Sequence, residues 1–183
     1  MTKSISIQSP LAEDVIRQLH TGDIVLLSGT MITGRDVAHR RLYETLQRDE
    51  KPPVDIIGQT IFYAAPTPSP PGRVIGSVGP TTAYRMDAFT PFLLSRGLRA
   101  MIGKGKRSDE VREAIRRYKA VYFGAMGGVA ALLSRCVTSA EIVAYDDLGP
   151  EAIMRLEVLD FPLVVINDAT GRDLYEETII AHS

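Results

Sequence analysis

The sequence predicts an α/β fold with a mixed, partly parallel sheet flanked by helices, and three observations lead there. From residue 74 onward, short apolar runs alternate with segments of helical period. Glycines punctuate the strand-to-helix junctions, and the tail after residue 140 turns β-rich. A chain of 183 residues buries roughly 70% of its unfolded surface, enough for one core without covalent staples, so residues 1–183 are expected to form a single domain.

Ser9-Pro10 followed by Leu11, Val15, Ile16 and Leu19 predicts a short capped helix ending before Gly22, and Ile24 to Leu27 predicts an apolar strand. After Ser28-Gly29-Thr30-Met31-Ile32-Thr33-Gly34, the residues Ala38, Leu42 and Leu46 recur at helical spacing. They predict a helix from Arg35 to Gln47 whose solvated face carries Arg40, Arg41, Glu44 and Arg48. A strand is expected at Thr60 to Ala64. The prolines of Pro66-Thr67-Pro68-Ser69-Pro70-Pro71-Gly72 then favour an extended surface connection. Strands are predicted at Val74 to Val78, Arg99 to Ile102 and Ala120 to Phe123. Helices are predicted from Thr81 to Ser95, Ser108 to Tyr118 and Gly128 to Cys136. Gly76-Ser77-Val78-Gly79 is echoed by Gly124-Ala125-Met126-Gly127-Gly128, which suggests two similar strand–turn–helix units, the second closely packed rather than ligand-binding. In the tail, Glu141 to Tyr145, Ala152 to Leu159 and Leu163 to Ile166 read as strands.

Composition excludes several classes of function. Hydrophobic content of 45%, charged content of 23% and a net charge of −1 describe an ordinary soluble domain with no broad field for nucleic acid or an anionic membrane. No apolar run reaches the length of a membrane span and no signal core follows the N-terminus, so a cytoplasmic location is expected. The one cysteine, Cys136, forbids an internal disulfide and cannot alone hold zinc or an iron–sulfur cluster; it reads as a small buried residue. His20, His39 and His182 lack metal-ligand spacing, so any metal must come largely from elsewhere.

Chemistry concentrates in Gly76 to Asp87. A helix start there would offer unpaired N–H groups and a partial positive charge, with Thr81 and Arg85 one turn apart on one face, which suits a carboxylate or phosphate. Arg35, Arg85 and Lys104 each follow a predicted strand, at the carboxyl ends where open α/β sheets bind ligands. Two or three converging cations suit a small dicarboxylate, because arginine forks onto one carboxylate while lysine supplies a point charge. A nucleotide is the weaker reading. Gly103-Lys104-Gly105-Lys106-Arg107-Ser108 has the wrong spacing for a phosphate loop, and the dinucleotide fingerprint is incomplete. Thr81 is a poor base until a neighbouring base or cationic field activates it. Asp36 and His39 form a secondary pair beside Arg35, with helix capping and a partly buried imidazole as their ordinary explanations. Asp87 and Arg107 rank with them, as solvated or structural residues.

These segments together resemble the β-type subunit, or C-terminal domain, of class I iron–sulfur fumarate and tartrate hydro-lyases. The resemblance rests on Gly22-Asp23-Ile24-Val25-Leu26-Leu27-Ser28-Gly29-Thr30, Gly34-Arg35-Asp36-Val37-Ala38-His39, Gly79-Pro80-Thr81-Thr82-Ala83 with Arg85-Met86-Asp87, and Gly103-Lys104-Gly105 with Arg107-Ser108. Their order and separations fit over most of the chain. It implies a swivelling β/β/α architecture docked on an α-type subunit, as a heterodimer or heterotetramer. That partner would carry the cysteines of a 4Fe-4S cluster, whose open iron acts as a Lewis acid. It also implies that Arg35, Arg85 and Lys104 hold substrate carboxylates, with Gly79 and Thr82 beside them. Thr81, together with Lys104, would serve the exchange of a proton at the carbon next to the hydroxyl-bearing one. The substrate would be fumarate or malate first, tartrate or oxaloacetate second. Tyr84 stands where the family has a small residue, which either reshapes the pocket or covers it. The competing expectation is a non-catalytic assembly module that binds an anionic or phosphorylated metabolite.

Overall fold

The computed structural model describes residues 4–125 and 130–181. Its strands are β1 (Ile5–Ser9), β2 (Ile24–Thr33), β3 (Thr60–Phe62), β4 (Ala100–Gly103), β5 (Val121–Ala125), β6 (Val137–Ala144) and β7 (Ile153–Asn167). The helices are α1 (Glu13–Gln18), α2 (Asp36–Gln47), α3 (Thr90–Ser95), α4 (Asp109–Tyr118), α5 (Ala130–Leu133) and α6 (Leu174–Ala181), with short 3-10 turns at Ala83–Met86, Ser134–Cys136 and Asp146–Glu151.

Strands β1 to β5 are parallel neighbours in sequence order, and the long β7 runs antiparallel to β5 along one edge and to β2 along the other. The ladder β2–β3–β4–β5–β7 therefore returns to β2 and closes into a five-strand ring, which satisfies both edges of each member. β1 and β6 extend it outside the ring. Successive residues alternate between two cores, as strand geometry requires. Val25, Leu27, Phe62, Ile102, Phe123, Leu163 and Val165 face one core, the inside of the ring. Ile61, Tyr63, Met101 and Tyr122 face the other, where Leu42 of α2, Leu93 and Leu94 of α3, and Val111 and Ile115 of α4 cover them. The mixed, helix-flanked sheet expected from the sequence is present.

Several expected elements change. Val74 to Val78 is not a strand: β3 and β4 pair directly, with Ile61 opposite Met101, so no edge is left for it. Gly76 is there for packing, since a Cβ would lie 2.3 Å from the Thr67 carbonyl oxygen. The helix predicted from Thr81 to Ser95 breaks into the 3-10 turn Ala83–Met86 and the separate helix α3. Ser9 does not cap α1; it belongs to β1, and its hydroxyl meets Thr60 Oγ1 at 2.9 Å. The segments Ala152 to Leu159 and Leu163 to Ile166 are one strand, β7. Met126, Gly127, Gly128 and Val129 lie outside the described residues, and so does the predicted start of the helix to Cys136. The suggested echo of two units fails at its first copy, which follows no strand. Among the described residues no helix is long and apolar enough to cross a membrane.

Candidate active site

Because β2, β3 and β4 are parallel, their carboxyl ends share one rim of the ring, and the residues just beyond them are neighbours. Arg35 follows β2, Tyr63 follows β3 and Lys104 follows β4. The connection after β3 runs out through the prolines and returns to this rim. There the Thr81 N–H donates to the Tyr63 carbonyl at 2.6 Å, and the Lys104 N–H donates to the Thr81 carbonyl at 3.3 Å. Thr82 pairs with Lys104 as a parallel bridge, and the Ala83 N–H donates to the Lys104 carbonyl at 2.8 Å. Thr81 is thus wedged between the ends of β3 and β4. These backbone bonds stand in place of helical ones, so the predicted helix does not begin at Thr81 and Thr81 and Arg85 do not share a helical face; Arg85 follows no strand and comes to the rim on the 3-10 turn. Gly105 takes a φ of +84°, a conformation glycine adopts freely, directly after Lys104.

Arg35 sits at the N-terminus of α2 with extended backbone, and Asp36 opens the helix. Asp36 does not cap it. Its Oδ2 instead takes an ion pair from Arg85, which joins the start of α2 to the 3-10 turn beside Thr81. Arg35 Nη2 lies 3.5 Å from Glu151 Oε1 at the end of the 3-10 turn before β7. Arg35 Nε, Asp36 Oδ1 and Glu151 Oε2 are buried with no hydrogen-bond partner among the described residues. Buried polar atoms normally have partners, so these three adjoining side chains each keep an unmet donor or acceptor. Lys104 is exposed and joins no ion pair among the described residues, and Thr81 is half-buried.

His39 lies fully buried under Arg35. Its Nδ1 is 2.9 Å from the Arg35 carbonyl, which can only accept, so Nδ1 carries the proton. The ring packs edge-on against Tyr63 at 5.2 Å, and Nε2 has no partner among the described residues. Burial is the main reason its pKa falls to about 4, so the imidazole is neutral in ordinary buffers. It orients the N-terminus of α2 and carries no charge toward an anion.

Asp87 and Arg107, expected as solvated or structural residues, are structural and not solvated. They form a buried pair, Arg107 Nε donating to Asp87 Oδ1 at 2.8 Å with the guanidinium wholly inside the protein. Gly79 is explained by packing, since a Cβ there would lie 3.0 Å from the Ala130 methyl. Tyr84 is 67% exposed beside this rim. The sequence reading missed Glu151, whose meeting with Arg35 leaves no local signal. It also missed Tyr63, although a strand end was expected there. For a 4Fe-4S cluster the residues of this chain do not fit: Cys136 is its one cysteine, burial pushes that thiol up, and no group of three or more His, Cys, Asp or Glu among the described residues is placed to hold a metal ion.

Comparison with known proteins adds a family. A family model described as Fumarase C-terminus matches residues 1–178. The class I aerobic fumarate hydratase of Salmonella typhimurium is 38% identical over 178 residues, which is 94% of this chain and 30% of that protein. The class I anaerobic fumarate hydratase of Escherichia coli is 41% identical over 155 residues, covering 84% of this chain and 28% of that one. The chain thus spans less than a third of the length of these two fumarate hydratases. A putative L(+)-tartrate dehydratase subunit beta of Methanocaldococcus jannaschii is 39% identical over 173 residues, 91% of this chain and 89% of its own length.

Proposed function

The chain belongs to the fumarase C-terminus family, and from that membership and the rim of cations we propose that it is the β-type subunit of an iron–sulfur hydro-lyase acting on a small dicarboxylic acid. Residues 1–183 act as one catalytic domain that completes its site with an α-type subunit, in a heterodimer or heterotetramer. Fumarate and malate are the first substrates to test, tartrate the next. The relative named as a subunit beta is matched over 89% of its length, which supports the β-type reading. The 4Fe-4S cluster is assigned to the α-type partner, because one cysteine cannot hold it.

The observation that carries this reading is the convergence of Arg35, Thr81, Arg85 and Lys104 on one rim, linked by the Arg85–Asp36 ion pair and by backbone bonds between Thr81 and Lys104. A dicarboxylate presents two planar anions. The forked guanidinium groups of Arg35 and Arg85 suit them, and Lys104 adds a compact charge between β4 and Thr81. Thr81 then takes or returns the proton at the carbon next to the hydroxyl-bearing one, in a cationic field that eases ionisation of an alcohol. Coexpression with an α-type chain should give oxygen-sensitive, iron-dependent interconversion of fumarate and malate, or dehydration of tartrate. A complex that keeps full activity in air after complete removal of iron overturns the reading.

A further inference from the structure

We propose that Arg107 is a positioning residue for this reaction, a buried brace that sets the spacing of Thr81, Arg85 and Lys104 without touching substrate; the inference rests on the hydro-lyase reading. Its side chain is wholly buried and is bonded, through Tyr63, Asp87 and Thr90, to the backbone beside Thr81 and Arg85. Nη1 donates to the Tyr63 hydroxyl at 3.2 Å, and the Tyr63 carbonyl holds the Thr81 N–H. Nε donates to Asp87, two residues beyond Arg85, and the second oxygen of Asp87 accepts the Ser108 N–H at 2.7 Å. Nη2 donates to Thr90 Oγ1 at 2.8 Å, and that hydroxyl donates in turn to the Met86 carbonyl at 2.8 Å. The 3-10 turn bearing Arg85 is therefore gripped at its last residue and just past its end.

Arg107 lies three residues after Lys104, and the turn between them is fixed from the other side. The Tyr122 hydroxyl donates to the Gly105 carbonyl at 3.0 Å, and burial raises that phenol far above its usual range, so it stays a donor. The guanidinium stands 5.3 Å from the Tyr63 ring centroid and 4.9 Å from that of Tyr122. A planar cation with donors on three sides and aromatic rings against it has essentially one orientation here. Stability alone does not call for this choice, since buried ion pairs are often replaced by apolar groups without loss. What the arrangement supplies is geometry: three side chains on two separate stretches of backbone are referred to one rigid group, and reaction rates fall steeply when reacting groups shift by about 1 Å.

The test uses the assembled α/β complex and a double-mutant cycle. Arg107→Lys keeps the charge and loses the fork. It should lower kcat/KM for malate tenfold or more, and by a several-fold smaller factor in a Thr81→Ala background, because the share of the loss that acts through Thr81 is then already gone while Arg85 and Lys104 remain to be positioned. Hydrogen–deuterium exchange at the Thr81 and Lys104 amides should rise at least tenfold while β7 amides are unchanged. If Arg107→Lys fails to fold, Tyr63→Phe removes only the phenolic acceptor and should reproduce the loss, at threefold or more, with the same non-additivity. Unchanged kcat/KM in the variant that folds, or an equal loss in both backgrounds, overturns the inference while leaving the hydro-lyase reading intact. A wild-type complex inert toward fumarate, malate and tartrate, or a fully active Thr81→Ala, overturns the reading and this inference with it.

Discussion

Arg35 and Arg85 each meet a carboxylate of their own chain, Glu151 and Asp36, so three cations face two anions and the cluster keeps one net positive charge through Lys104. Under the proposed function, a dicarboxylate entering here would exchange with those internal partners. Arg85→Ala should therefore raise KM as well as lower kcat, because it removes a clamp and also leaves Asp36 without its cation. If Thr81 has the proposed role, Thr81→Ala should lower kcat about 100-fold or more with a smaller change in KM, as measured by steady-state assay of the assembled complex, because proton transfer and not substrate holding is then lost. His39 makes a different prediction, about stability. Its folded pKa of about 4 lies below the ordinary 6.5, so the unfolded chain takes up the proton first as pH falls. Its contribution is complete above pH 6.5 and drains away toward pH 4, by up to about 1.4 kcal/mol per pH unit. Urea denaturation of His39→Gln should show a shallower loss over that interval than the wild-type chain.

At the scale of elements, α4 shows how a local signal and a distant one share a helix end. Ser108 caps it, its Oγ accepting from the Val111 N–H at 3.3 Å, while its own N–H goes to Asp87. Asp109 and Glu110 in the first turn and Arg116 and Arg117 in the last match the helix dipole. Ser108→Ala removes the cap and spares the bond to Asp87. It should destabilise the fold by about 1 kcal/mol, seen as a lower urea midpoint at unchanged m-value. The 3-10 turn at Ala83–Met86 behaves in the opposite way. Pro80, Thr81 and the spacing to Arg85 all favour a helix locally, and the backbone bonds of Thr81, Thr82 and Ala83 to Tyr63 and Lys104 override them. The displaced helix restarts at Thr90, with Pro91 in its first turn.

For the molecule as a whole, the ring depends on β7, which bridges β5 and β2 and carries apolar residues to the interior. Phe161 is fully buried there and meets Phe62 edge-on at 5.5 Å between centroids. Phe161→Ala should cost about 3–5 kcal/mol by loss of burial plus the cavity left behind, measurable as a large drop in thermal midpoint. The same ring gathers the ends of β2, β3 and β4 on one rim. Arg35 and Lys104 therefore reach that rim directly from their strands while Thr81 and Arg85 arrive on the connection after β3, and loosening the ring should weaken the site with it.

Legible in the amino-acid order were the helices α2 and α4, most strand cores, the proline connection, the lack of a cluster-binding cysteine set, and the residue types suited to a dicarboxylate. These are written in side-chain period, caps and composition, which act over a few neighbouring residues. Settled only in the folded chain are the direct pairing of β3 with β4, the closure of the ring by β7, the bonding of Thr81 between Tyr63 and Lys104, the meeting of Glu151 with Arg35, and the place of Arg107 inside the protein. A strand edge accepts any partner with matching hydrogen bonds, and a charge accepts any opposite charge. Which ones meet is settled only when all the apolar faces are buried at once.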